Sequence, residues 1–238
     1  MGLASVSGKN YAGCCLTESM RRYYLDVMGI QLWQSLEMPD DDTVIGEPVR
    51  DDVAWQQLEQ AVASCTRCEL HQSRTQTVFG VGDKNARLLI VGEAPGRDED
   101  LQGEPFVGRA GQLLNAMLAA IGFQREQVYI ANVLKCRPPN NRDPRPEEAQ
   151  ACDSWLRQQI TLIRPDLILV LGRIAAHHLL NTDRSLAALR GQTHQYAGIP
   201  LIVSYHPAYL LRKPVEKRKS WQDLKRVKSF LTNDGSST

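Results

Sequence analysis

Four cysteines stand in the order C-x2-C…C-x15-C: Cys65 and Cys68 as a close pair, then Cys136 and Cys152. Four thiolates can bind zinc or an iron–sulfur cluster. Zinc ribbons usually carry two close pairs. Here the second pair is spread and Cys152 falls in a helical pattern, which favours a cluster held between a loop and a helix; spacing alone leaves both open. Between the cysteines lies Gly92-Glu93-Ala94-Pro95-Gly96, directly after an apolar run. Two glycines and a proline fix a tight turn where backbone can approach a ligand. Glu93 within it is a candidate base or water-positioning group. Phe106, in Pro105-Phe106-Val107-Gly108, offers a flat face for stacking, and the helix that follows offers N–H groups to an anion. Asn132 sits in an otherwise apolar segment, and a buried amide needs partners. Its donor and acceptor suit a pyrimidine edge with adjacent C=O and N–H. His206-Pro207 follows the last apolar run, where a histidine can donate to a developing oxyanion. Ala208-Tyr209-Leu210-Leu211-Arg212-Lys213 is bulky and then basic, the composition of a wedge pushed into a duplex.

These residues need a scaffold, and the chain spells one. Short apolar runs at 87–92, 128–134, 166–171 and 200–204 predict strands. Helical spacing predicts helices over 108–122, 146–163, 173–180 and 215–231. Pro146, followed by Glu147 and Glu148, marks a helix start. Near-continuous apolar strands alternating with helices predict a parallel sheet covered on both faces, with ligands beyond the carboxyl ends of its strands.

The length of 238 residues allows one large core and a small appendage. Net charge is +1, unevenly spread. Residues 1–63 hold 4 basic and 10 acidic side chains, a net of −6, and residues 64–238 hold 24 and 17, a net of +7. This is the pattern of an acidic arm beside a basic body that could face a polyanion. Residues 212–228 alone carry 8 basic and 2 acidic side chains, suited to phosphates. No run of about 20 apolar residues predicts a membrane span, and no secretory signal opens the chain. A cytoplasmic, reducing setting is the expectation, in which clustered cysteines favour metals over disulfides. We place a domain boundary near residue 52. Residues 1–52 are expected to form the arm, with disorder over 1–15, a helix over 16–34 begun by Thr17, a linker over 37–52, and free Cys14 and Cys15. Residues 53–238 form the body.

The segments GEAPGRDEDLQGEPFVGRAGQLL, NVLKCRPPNNRDP and HPAYLLR resemble the motifs of the iron–sulfur-containing (family 4) uracil-DNA glycosylases over roughly residues 53–231. The resemblance implies an α/β fold, a three-layer αβα sandwich with a central four-stranded parallel sheet. It implies a [4Fe–4S] cluster on Cys65, Cys68, Cys136 and Cys152. The implied activity is hydrolysis of the N-glycosidic bond of deoxyuridine in single- or double-stranded DNA, leaving an abasic site. Broader specificity for deaminated bases, or DNA binding without catalysis, are the competing readings. In the family picture Phe106 stacks on uracil, Asn132 reads N3–H and O4, His206 stabilises O2, Glu93 positions water or the sugar cation, and Gly92 and Ala94 frame them. Leu210, Leu211 and Arg212 contact DNA. The best-known uracil-DNA glycosylases put an aspartate where Ala94 sits, so this chain lacks a base there. A monomer is expected. In the arm, Arg21-Arg22 and Met28–Trp33 are similar to the short N-terminal helix of the bacterial clamp-loader psi subunit, which implies a replication-machinery partner for residues 16–36.

Overall fold

The structure, a computed structural model, describes residues 52–233. The expectations for the arm, its helix, its free cysteines and its replication partner lie outside the described residues.

In chain order the elements are α1 (Asp52–Ala63), β1 (Val81–Gly82), β2 (Leu88–Gly92), α2 (Arg97–Gln102), α3 (Arg109–Ala120), β3 (Tyr129–Asn132), α4 (Pro146–Ile163), β4 (Leu167–Leu171), α5 (Arg173–Leu180), α6 (Leu186–Leu189), β5 (Thr193–Tyr196), β6 (Ile199–Ser204), α7 (Pro207–Arg212) and α8 (Lys217–Asn233), with short 3-10 turns between some of them. The strands make one sheet in the order β1-β3-β2-β4-β6-β5. Its centre, β3-β2-β4-β6, is parallel throughout, as expected. Two antiparallel edge strands were not expected. β1 pairs with β3 over two residues, and β5 pairs with β6. Neither had a sequence signal: β1 is a Val-Gly pair, and β5 (THQY) is polar and half exposed, as edge strands commonly are.

Every residue of β2, β3 and β4 is buried. Alternate side chains serve the two faces. Leu89, Val91, Ile168 and Val170 join the layer of α1, α4 and α5, whereas Leu88, Ile90, Leu167, Leu169 and Leu171 join that of α3 and α8. Burying each such side chain is worth roughly 1.5–3 kcal/mol, which makes the sheet a stiff platform. α8 buries Leu224, Val227 and Leu231 on one face, the i, i+3, i+7 spacing of an amphipathic helix. α4 runs over the expected Pro146–Ile163, and Glu148 closes its capping box on Arg145 N–H at 2.8 Å. No described helix is long and apolar enough to cross a membrane.

β3 is shorter than the apolar run 128–134 predicts. After Asn132 the chain still donates from Val133 N to Gly92 O and from Leu134 N to Glu93 O, both at 3.0 Å, but the turn after β2 peels away and the strand ends there. Asn132 therefore stands at the carboxyl end of β3, in register with Gly92 at the end of β2.

Candidate active site

At the carboxyl ends of the parallel strands opens a cleft of about 410 Å³. Glu93 and Ala94 reach it from the turn after β2, Asn132 from the end of β3, and His206 from the turn after β6. Glu99 lines it from α2, Phe106 from the segment leading into α3, Arg142 and Asp143 from the loop before α4, and Tyr209 and Arg212 from α7. Glu93, Ala94, Phe106, Asn132 and His206, predicted as site residues, thus converge on one cleft.

Asn132 is 2 % exposed, and its Oδ1 is buried with no hydrogen-bond partner. An orphaned buried acceptor costs about 1–3 kcal/mol, which a ligand N–H would recover. Gly92 lets this amide and the Phe106 ring approach. A methyl group at Gly92 would stand 2.3 Å from Asn132 Oδ1 and 2.7 Å from Phe106 Cε2 and Cζ.

Phe106 holds an unusual backbone, with φ at 56°, a conformation that costs a non-glycine residue about 1–3 kcal/mol. Its neighbours fix it there. Arg125 donates to Pro105 O at 2.6 Å and to Phe106 O at 3.4 Å. Glu99 Oε1 accepts from Val107 N and Gly108 N at 3.2 and 3.3 Å, and its Oε2 accepts from Gly96 N at 3.1 Å. At Gly111, in the first turn of α3, a Cβ would fall 1.6 Å from Phe106 O. The Glu99 carboxylate thereby occupies N–H groups at the start of α3 that the sequence offered to an external anion, and its role is to lock two loops together.

His206 caps α7. Its Nδ1 accepts from Ala208 N–H at 3.2 Å, so the neutral ring carries its proton on Nε2, which has no partner among the described residues. Burial pushes its pKa down to about 4, and Arg212 adds to the shift, so the ring is neutral near pH 7. It stacks with Phe106 at 5.4 Å between centroids and 28° between planes. Glu93 is shifted the other way. Burial pushes its carboxyl up to about 7, Asp143 adds to this, and Arg173 opposes it. Arg173 Nη2 and Asp143 Oδ2 are themselves paired at 3.2 Å. The site thus combines a neutral donor, a carboxyl poised to exchange a proton near neutrality, an unpartnered amide and a ring face.

The wedge expectation needs one correction. Leu210 is 1 % exposed and packs in the core layer of α3 and α8, so it cannot serve as a DNA contact. The segment forms α7, and its helical spacing turns Leu210 inward while Leu211 is half-buried and Arg212 exposed at the cleft. Tyr209, Glu99, Arg142 and Asp143 were missed. Arg142 is held by a bidentate pair with Glu148, at 2.5 and 2.9 Å, and that pairing joins a loop to a helix, which no local pattern shows.

Cys65, Cys68, Cys136 and Cys152 line a second, small cavity, walled also by Val62 and Trp155. None forms a disulfide. Arg74 Nη1 donates to Cys136 Sγ at 3.1 Å, and Lys135 N to Cys152 Sγ at 3.3 Å. Four thiols in one cavity, with cationic and amide N–H donors aimed at two of the sulfurs, suit thiolates on a positive centre. Among the described residues no three or more His, Cys, Asp or Glu side chains are drawn together as a single ion requires.

Residues 79–225 match the family model of the uracil DNA glycosylase superfamily, and the site stands where the parallel strands of that fold end. The chain is 47 % identical over 178 residues to a type-4 uracil-DNA glycosylase of Archaeoglobus fulgidus, covering 71 % of this chain and 89 % of that one. It is 43 % identical over 182 residues to a type-4 uracil-DNA glycosylase of Thermotoga maritima, covering 75 % and 95 %. A type-5 enzyme of Pyrobaculum aerophilum is 34 % identical over 146 residues, covering 54 % and 64 %. The chain belongs to the type-4 uracil-DNA glycosylase family.

Proposed function

We propose that this protein hydrolyses the bond between uracil N1 and deoxyribose C1′ in DNA, releasing uracil and leaving an abasic site. The observation that carries this reading is the unpartnered Asn132 amide beside the Phe106 ring in a cleft that also holds a neutral histidine donor. A nucleotide turned out of the stack meets Phe106 with its flat face. Asn132 accepts from uracil N3–H and donates to O4; cytosine presents the reversed pattern and is refused. As the C1′–N1 bond breaks, its electron pair passes into the uracil ring and onto O2, where His206 Nε2–H donates. Water adds to C1′, and its proton leaves to Glu93 or to solvent. Leu211 and Arg212 face the DNA, as does the basic surface of α8. Incubation with single- and double-stranded oligonucleotides carrying one deoxyuridine, followed by alkaline cleavage, tests the reading. Strand scission at that position is expected. Intact binding with no base release would refute it.

Glu93 gives the reaction a pH signature. Its ionised fraction grows as pH rises through about 7, so the single-turnover rate rises over the same interval. His206 is already neutral there and contributes no limb above about pH 5. In Glu93→Gln the rise through pH 7 disappears. Its persistence in that variant would assign the limb to another group.

We propose further that Cys65, Cys68, Cys136 and Cys152 hold a [4Fe–4S] cluster that clasps the loop after α1 to α4 and to the segment following Asn132. When bound, the cluster cross-links distant parts of the chain, and the chemistry at C1′ needs no electron from it. Cys152→Ser should lose the brown visible absorbance and melt at lower temperature. A colourless wild-type protein holding one zinc per chain would overturn this assignment.

A further inference from the structure

Lys135 is the largest fully buried side chain described here, 1 % exposed, and lies between Asn132 and Cys136. An ammonium group in such a place is costly unless its donors are used. Its Nζ donates to the backbone carbonyl of Asn132 at 2.9 Å and to Gln159 Oε1 at 2.6 Å. Gln159, 0 % exposed, is fixed in turn, because its Nε2 donates to Phe79 O at 3.0 Å and to Tyr129 Oη at 3.3 Å. The lysine's own backbone is also committed: its N–H points at Cys152 Sγ, and its carbonyl accepts from Val78 N at 2.8 Å. One side chain therefore closes the turn over residues 132–135 from within, with the base-facing amide at one end and the cysteine cage at the other.

We propose that Lys135 is a positioning residue, which ties the Asn132 backbone to the Gln159 bracket and the cysteine cage and so aligns the Asn132 amide for the base. The proposal rests on the reading of Asn132 as the group that recognises uracil. A role limited to balancing the charge of the cage fits less well. Arg74 already donates to Cys136 Sγ, and the hydrogen bonds of Lys135 Nζ go to Asn132 and Gln159 rather than to sulfur. The side chain's geometry serves the strand end.

The test uses the full-length protein as isolated, with visible absorbance and melting temperature recorded for each variant. Binding is measured to a single-stranded oligonucleotide carrying one 2′-fluoro-2′-deoxyuridine, which resists cleavage, and to the same strand with thymidine in that place. Lys135→Met is expected to keep the absorbance and to weaken binding of the fluorinated strand about 10-fold, with little change for the thymidine strand. In an Asn132→Ala background the same substitution should cost no more than roughly 2-fold, since two residues acting through one contact are not additive. Equal losses in both backgrounds, equal losses on both strands, or loss of the absorbance would overturn the proposal. Should Lys135→Met fail to fold, Gln159→Met removes one anchor of Nζ and should give a smaller loss with the same dependence on Asn132; an additive loss overturns the proposal equally. If Asn132→Ala alone leaves the preference for the fluorinated strand intact, it is the reading of Asn132 that has failed.

Discussion

His206→Ala lowers the single-turnover rate of uracil release by about 100- to 1,000-fold, and Glu93→Gln lowers it less, roughly 10-fold. The order follows from where charge appears. Breaking the C1′–N1 bond moves an electron pair into uracil, and a donor already aimed at O2 meets that charge without reorganising. In the proposed mechanism His206 is that donor. Its Nδ1 is held as an acceptor by Ala208 N–H, which leaves the proton on Nε2. Burial keeps the ring neutral well below pH 7, so the donor is the same species across the working range. In the proposed mechanism Glu93 acts on the other half of the reaction, the water and the sugar. With Ala94 beside it no second carboxylate in the turn can substitute, yet a stabilised uracil anion is a fair leaving group even when water is poorly activated. The two variants are compared with a deoxyuridine oligonucleotide under enzyme excess. A larger loss from Glu93→Gln would mean that water activation, and not departure of the base, controls the rate.

The parallel centre of the sheet was legible because each strand is an apolar run bounded by turn residues, and α4 because Pro146 and its acidic first turn mark one end. The residues that meet at the cleft were legible for a related reason: Asn132 and His206 are polar residues at the ends of apolar runs, and Gly92 and Gly96 bracket a turn. What was not legible depends on contacts between different elements and loops. Leu210 reads as a wedge in a linear string, and only its turn of α7 sends it into the core. Glu99 reads as one acid among several in RDEDLQGE, yet it locks two loops through three backbone N–H groups. Lys135 is one basic residue in a basic body until the sheet buries it. The edge strands failed to register for the opposite reason, since a two-residue pairing and a polar strand carry no hydrophobic period.

Gly92→Ala should abolish base recognition while leaving the fold in place. The position closes β2, whose backbone is held on one side by β3 and on the other by β4, so the main chain cannot yield to an added methyl group. The side chains it meets must move instead: Asn132 Oδ1 at 2.3 Å and the Phe106 ring at 2.7 Å. Both border the open cleft, so they have space to shift, and the stability cost stays near the 1–3 kcal/mol typical of overpacking. Catalysis has no such tolerance. A displacement of about 1 Å at a positioning contact can cost 100-fold, and here the stacking face and the reading amide are displaced together. Uracil release is therefore expected to fall by at least about 100-fold, with visible absorbance retained and the far-ultraviolet circular dichroism unchanged. Binding of the 2′-fluoro-2′-deoxyuridine strand should drop to that of the thymidine strand, because the substitution removes discrimination and leaves backbone contacts intact. A variant that still prefers the fluorinated strand and releases uracil near the wild-type rate would show that the amide and the ring do not act at this distance from Gly92.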